Sequence, residues 1–103
     1  MSVTMRIIQR FDPARERQWW ALERQFAELE QRRPDYPKGR RLQPIASAEP
    51  NNTLIWECEF ADLDSARAAL DFFQGDAEHE ALLVQALPLF VQTRVEFLQN
   101  LEL

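Results

Sequence analysis

Residues 53–75, TLIWECEFADLDSARAALDFFQG, contain the sharpest change of period in the chain, and that change decides the fold class. Leu54, Trp56, Cys58 and Phe60 alternate with Thr53, Ile55, Glu57 and Glu59. This is the two-residue repeat of a strand buried on one side, and it runs from Thr53 to Ala61. At Asp62-Leu63-Asp64-Ser65 the repeat turns helical, with Ala66, Leu70 and Phe73 on the buried side and Gly75 placed to terminate the helix.

Outward from this unit, Asp76 can cap a shorter helix through Glu78, His79, Leu82, Leu83 and Ala86, stopped near Pro88. From Phe90 to about Leu101 the strand period returns. Val91, Thr93, Val95 and Phe97 alternate there with Gln92, Arg94, Glu96 and Leu98. In the other direction, Glu49-Pro50-Asn51-Asn52 is a turn by composition. Gly39 to Ala48 reads as a strand, placed at a sheet edge because Pro44 cannot donate to a ladder.

Further back, Asp12 and Pro13 open a long helix that runs to about Arg33. Its stripe is Trp19, Leu22, Phe26 and Leu29, widened by Trp20, and Pro34 and Pro37 end it. Adjacent positions such as Trp19 and Trp20 point about 100° apart, so one ring enters the core and the other reaches an edge or a partner. Val3 to Phe11 makes the first strand, with Val3, Met5, Ile7 and Phe11 on one face and Arg6, Ile8 and Arg10 on the other.

The order strand, helix, strand, strand, helix, strand predicts an α+β, ferredoxin-like βαββαβ domain over residues 1–103. Its four-stranded sheet is antiparallel, with helices on one face and an extra short helix before the last strand. Composition agrees: 46 % hydrophobic and 28 % charged residues are an ordinary globular balance. The net charge of −5 argues against a nucleic-acid partner. Two glycines exclude a Gly-rich phosphate loop, and one cysteine excludes a disulfide framework or a thiolate metal cluster. The first residues lack the pattern of a signal peptide and no apolar run is long enough to span a bilayer, so a cytoplasmic protein with no membrane partner is expected.

Two helices cover only one face of such a sheet. Met5, Ile7, Trp56, Phe60, Val95 and Phe97 form the natural helix-facing set. Arg6, Ile8, Arg10, Ile55, Glu57, Glu59, Arg94, Glu96 and Leu98 form the other. Apolar residues within a charged face imply cover by another molecule, and a second copy is the simplest source; a homodimer through the open sheet face is therefore expected. The charge is also polarised along the chain. Residues 1–41 sum to +4 and residues 42–103 to −9, which fits complementary packing of the halves or of two copies.

In length and element order, and most specifically in FFQGDAEHEALLVQALPLF at residues 72–90, the chain resembles the dimeric α/β-barrel superfamily. That superfamily includes antibiotic-biosynthesis-type monooxygenases and stress-responsive barrel domains. The resemblance implies a dimeric α/β barrel with a small-molecule pocket. Haem-degrading members pair an Asn on the first strand with a Trp and a His. Here Gln9 and Phe72 or Phe73 stand near the first two places and only His79 matches, so no cofactor is expected. Cofactor-independent oxygenation of a small aromatic or anionic ligand asks less, and Trp56, Phe72, Phe73 and Arg94 would bind it while His79 acts in catalysis.

Each of these residues also has a plainer role. His79 can be a surface histidine between Glu78 and Glu80, and the aromatics can be ordinary core. Arg6 and Arg94 can belong to a compensated ion-pair ladder instead of anchoring an anion. Asp76, His79 and Glu80 share helical spacing but lack a second histidine, so no metal site is expected. The basic run Arg32, Arg33, Lys38, Arg40 and Arg41 reads as solvated helix end and loop. The competing function is a non-catalytic homodimer whose barrel is filled by its own side chains.

Overall fold

The computed structural model describes residues 1–103. The chain forms β1 (Val3–Phe11), a 3₁₀ turn (Pro13–Arg15), α1 (Glu16–Arg32), β2 (Arg40–Leu42), β3 (Thr53–Phe60), α2 (Leu63–Gly75), α3 (Ala77–Ala86) and β4 (Phe90–Gln99). The strands make one open four-stranded sheet in the order β2-β3-β1-β4, with every pairing antiparallel. This is the ferredoxin-like arrangement, with β1 and β3 central and the proline-bearing segment at an edge. No helix is long and apolar enough to cross a membrane.

Local chemistry explains most of the boundaries. The Asp12 carboxylate accepts from the Ala14 amide at 2.9 Å, but Arg15 leaves helical geometry (φ −118°, ψ 24°), so Pro13 opens a 3₁₀ turn and the α-helix starts at Glu16. Asp62 caps α2 by accepting from the Ser65 amide at 2.7 Å. That helix ends at Gly75 as expected, yet no glycine has positive φ; the extended backbone of Asp76 makes the break and starts α3.

The second strand is shorter than its alternation predicts. Only Arg40–Leu42 pair with β3, and the segment from Gln43 to Asn52 is irregular. Pro44 removes a donor where the ladder would continue, and an edge strand has no second neighbour to compensate.

Register confirms the two faces. Met5 and Trp56 are buried beneath the helices with Leu29, Tyr36, Ala66, Ala69 and Phe73, while Ile7, Phe60 and Phe97 pack against that cluster. A second cluster joins Phe11, Trp19, Leu22, Leu54, Ala86 and Leu89. On the opposite face, Arg40 lies beside Glu57, Glu57 beside Arg6, and Arg6 beside Glu96, so signs alternate across all four strands. Glu57, only 6 % exposed, accepts from Arg6 at 2.8 Å and from Arg40 Nε at 2.7 Å. Burial alone would raise its pKa, and the two guanidinium groups outweigh that and lower it. The next row is Leu42, Ile55, Ile8 and Arg94, and Ile8 is 4 % exposed although no helix covers it.

Gly39 marks a close approach. A Cβ there would lie 2.5 Å from Trp56 Cζ2 and nearer still to Cε2 and Nε1 of the indole, whereas a Cβ at Gly75 meets nothing within 4 Å. Gly39→Ala should therefore cost about 1–3 kcal/mol in denaturant unfolding through displacement of Trp56. Gly75→Ala should be neutral or stabilising by up to about 1 kcal/mol.

Candidate functional site

The helix-facing side chains do not fill the space between the sheet and the helices. A cavity of about 380 Å³ remains, with Ile7 and Gln9 of β1, Thr93 and Val95 of β4, and Leu54 and Trp56 of β3 on the sheet side. Trp19, Glu23, Phe26 and Glu30 of α1 and His79, Glu80, Leu83 and Ala86 of α3 close the other side. The wall draws on both core clusters, and its volume falls in the range of small-molecule sites.

Positions 19, 23, 26 and 30 recur at helical spacing, so the buried side of α1 alternates aromatic rings with carboxylates. Arg41, at the inward-facing position of β2, meets both acids. Its Nε donates to Glu23 at 2.7 Å, and its Nη1 and Nη2 reach Glu30 at 3.3 and 3.4 Å. Trp56 Nε1 donates to Glu30 at 2.9 Å, which fixes the indole on which Gly39 rests. Burial raises the Glu23 pKa and the neighbouring Glu30 adds to it, against the pull of Arg41.

His79 owes its position to Asp76. That carboxylate caps α3 by accepting from the His79 amide at 3.0 Å, and it also accepts from Tyr36 Oη at 2.8 Å and Arg33 Nη1 at 2.7 Å. The burial of Asp76 would raise its pKa, but these donors lower it. Burial and the Asp76 bond raise that of Tyr36. The imidazole so placed stacks on Phe73 (5.3 Å, 13°) and leans on Phe26 (5.4 Å). Its Nδ1 is buried without a hydrogen-bond partner, since Glu80 Oε1 stands 3.7 Å away. Burial pushes the His79 pKa below the ordinary value, and the carboxylates of Glu80 and Asp76 only partly offset it. His79 is therefore a neutral imidazole at pH 7.

Of the residues expected at the site, Trp56, Phe73 and His79 share this cavity. Phe72 lies outside its wall, against Tyr36 and the Arg33 guanidinium. Arg94 is on the opposite face of the sheet, paired with Glu49 and, at 3.3 Å, with Glu96. The cavity's cation is Arg41, which sequence reading assigned to a solvated cluster. Glu23 and Glu30 were unremarked, and Gln9 was noted only as standing near the Asn of haem-degrading proteins, although each breaks an apolar row and that break is their signal.

No family model and no curated protein matches the sequence. Solved structures do match in fold. A NIPSNAP family protein from Agrobacterium tumefaciens str. C58 superposes with a TM-score of 0.79 at 13 % identity, covering 99 % of this chain and 95 % of that one. A NIPSNAP-like domain protein from Burkholderia xenovorans gives 0.78 at 16 % identity, covering 97 % and 85 %. A candidate antibiotic biosynthesis monooxygenase from Nitrosomonas europaea gives 0.68 at 12 % identity, covering 97 % and 90 %. The chain thus has the ferredoxin-like fold found among dimeric α/β-barrel proteins. At these identities the likeness is one of fold, and function rests on the site.

Because folding favours neutral His79, the unfolded chain takes up this proton first as pH falls through about 6.5. The stability that His79 contributes is present above that pH and is lost below it. Between pH 7.5 and 5, His79→Phe should lose less unfolding free energy than the wild type. Parallel curves for the two would show that the imidazole titrates normally. Asp76→Ala should destabilise the fold by about 1–2 kcal/mol through loss of the cap alone, read by denaturant unfolding.

Proposed function

We propose that this protein is a homodimeric α/β-barrel protein that binds a small aromatic molecule in the cavity between sheet and helices. Cofactor-independent, monooxygenase-like oxygenation is the chemistry the site favours. The observation that carries this reading is an apolar cavity of about 380 Å³ where a half-buried His79, its pKa held below the ordinary value, meets a few fixed polar groups. An open cavity of this size argues against a barrel filled by its own side chains.

A neutral imidazole is the form that accepts a proton. His79 removes one from an activated methylene of an electron-rich ring system, and dioxygen, the co-reactant, adds to the resulting carbanion. Loss of water then leaves a carbonyl, so one CH₂ and one O₂ become one C=O and one H₂O. The aromatic walls hold the ring in place, and Gln9 and Thr93 offer polar contacts from the sheet. Monooxygenase-like neighbours in fold agree with this chemistry.

The open face supports the dimer. Leu42 is exposed there beside the half-buried Ile55 and the covered Ile8, and Leu98 is exposed beside Thr4 farther along the same face. Arg6, Arg40, Glu57, Arg94 and Glu96, which lie between and around them, are paired within the chain. A second copy can cover these apolar residues while most charges beside them keep partners within their own chain, and Arg10, whose buried Nε has none, is the group it would have to meet.

Oxygen uptake with a panel of phenols, quinols and anthrones, each with and without an aminoalkyl substituent, should find a substrate, and His79→Ala should lower its kcat by about 10²–10⁴-fold. Equal turnover by wild type and variant would overturn the role of His79. Neither uptake nor binding across the panel would overturn the ligand reading. Light scattering at micromolar concentration should give twice the 12.2 kDa chain mass, and Leu42→Glu combined with Leu98→Glu should return it to the monomer value. A monomeric wild type would overturn the dimer.

A further inference from the structure

The charge inventory of the cavity names the class of molecule it takes, given the reading that it binds a small aromatic. Its wall carries three carboxylates, Glu23, Glu30 and Glu80, against the single guanidinium of Arg41. Arg41 is also largely committed, because three of its five N–H groups are directed at Glu23 and Glu30. An incoming carboxylate, sulfate or phosphate would have to share that one guanidinium with two glutamates and sit beside like charges, which is costly in a desolvated space.

The two glutamates are not equivalent. Glu30 is held by Arg41 from two nitrogens and by the Trp56 indole, so its oxygens are used. Glu23 has one oxygen engaged, Oε1 with Arg41, while Oε2 makes no hydrogen bond and is not among the sealed, unpartnered polar atoms. An acceptor is thus left accessible on a side chain that lines the cavity and is itself only 12 % exposed. The wall of the same cavity carries the rings of Trp19, Phe26, Tyr36, Trp56, Phe73 and Phe90. Aromatic faces beside a carboxylate form the combination that stabilises an organic cation, through the ring quadrupole and through charge pairing.

We propose that the cavity's ligand is an arylalkylamine, bound in its ammonium form with the nitrogen on Glu23 Oε2 and the ring among the aromatic walls, and that the cavity rejects anionic aromatics of the same size. The raised pKa of Glu23 agrees, since a burial cost that Arg41 leaves partly uncompensated is relieved by a second cation.

The test is a matched series that differs only in its polar group: 2-naphthylmethylamine, 2-naphthylmethanol and 2-naphthoate. Each is titrated into the protein at pH 7 and followed by tryptophan fluorescence and calorimetry. The expected order is amine, then alcohol, then carboxylate, with the amine about tenfold or more tighter than the carboxylate. In Glu23→Gln the affinities of amine and alcohol should converge. Added salt should weaken the amine more than the alcohol in the wild type.

Carboxylate binding as tight as the amine would overturn the charge assignment and leave the aromatic-cavity reading standing. An amine preference that persists in Glu23→Gln would overturn the placement on Glu23. No binding by any of the three up to millimolar concentration would overturn the inference and the reading beneath it together. The wild-type series decides the ligand class even where Glu23→Gln fails to fold.

Discussion

The Asp76 carboxylate is the junction on which the site depends. It stands between two helices that would otherwise run on, and its extended backbone turns α2 into α3. One of its oxygens holds Arg33, beyond the C-terminal end of α1; the other holds the Tyr36 hydroxyl and the His79 amide. Three separate parts of the chain are thereby fixed at one point, so the position of His79 over Phe73 is set by a helix cap and not by the imidazole's own contacts. The ring needs that support, because its buried Nδ1 has no hydrogen-bond partner to orient it.

The second polar group in the interior, Glu23, Glu30, Arg41 and Trp56, works differently. Burying two carboxylates beneath a sheet costs more than an apolar stripe would, and Arg41 with the Trp56 indole only partly offsets this. What the arrangement supplies is fixed geometry: Trp56 is held by its N–H on one side and by the bare Gly39 on the other. A core optimised for stability alone would carry leucines at positions 23 and 30 and would leave the α1 side of the cavity wholly apolar.

The fold was legible because its signals are periodic. β1, β3, α1 and α2 followed from spacing to within a few residues, and β4 to within two. The second strand was overextended because Arg41, Gln43 and Ile45 alternate even though Pro44 interrupts the ladder, and alternation carries no information about whether a partner strand continues alongside. The cavity was harder to read for a related reason. Scanning α1 for its apolar stripe registers Trp19, Leu22, Phe26 and Leu29 and passes over Glu23 and Glu30, although both fall on the side that lines the cavity. Gln9 is skipped likewise between Ile7 and Phe11. Such residues become visible only when polar positions are placed on the same periodic grid as apolar ones.

Arg94 and Arg41 show how one parity separates two uses of the same side chain. By alternation Arg94 already falls on the face opposite Trp56, and register puts it beside Ile8, paired to Glu49 and Glu96. Arg41 pairs in register with Trp56 and so points inward, while its neighbour Arg40 points outward to Glu57. Two consecutive arginines on a three-residue edge strand thus serve opposite faces of the sheet. A one-residue slip of β2 would exchange them, leaving Glu57 without one of its cations and placing a different arginine against Glu23 and Glu30. Pro44 shortly beyond, and Gly39 tight against Trp56 just before, bracket those three residues, so the register of the shortest strand decides which charges line the cavity.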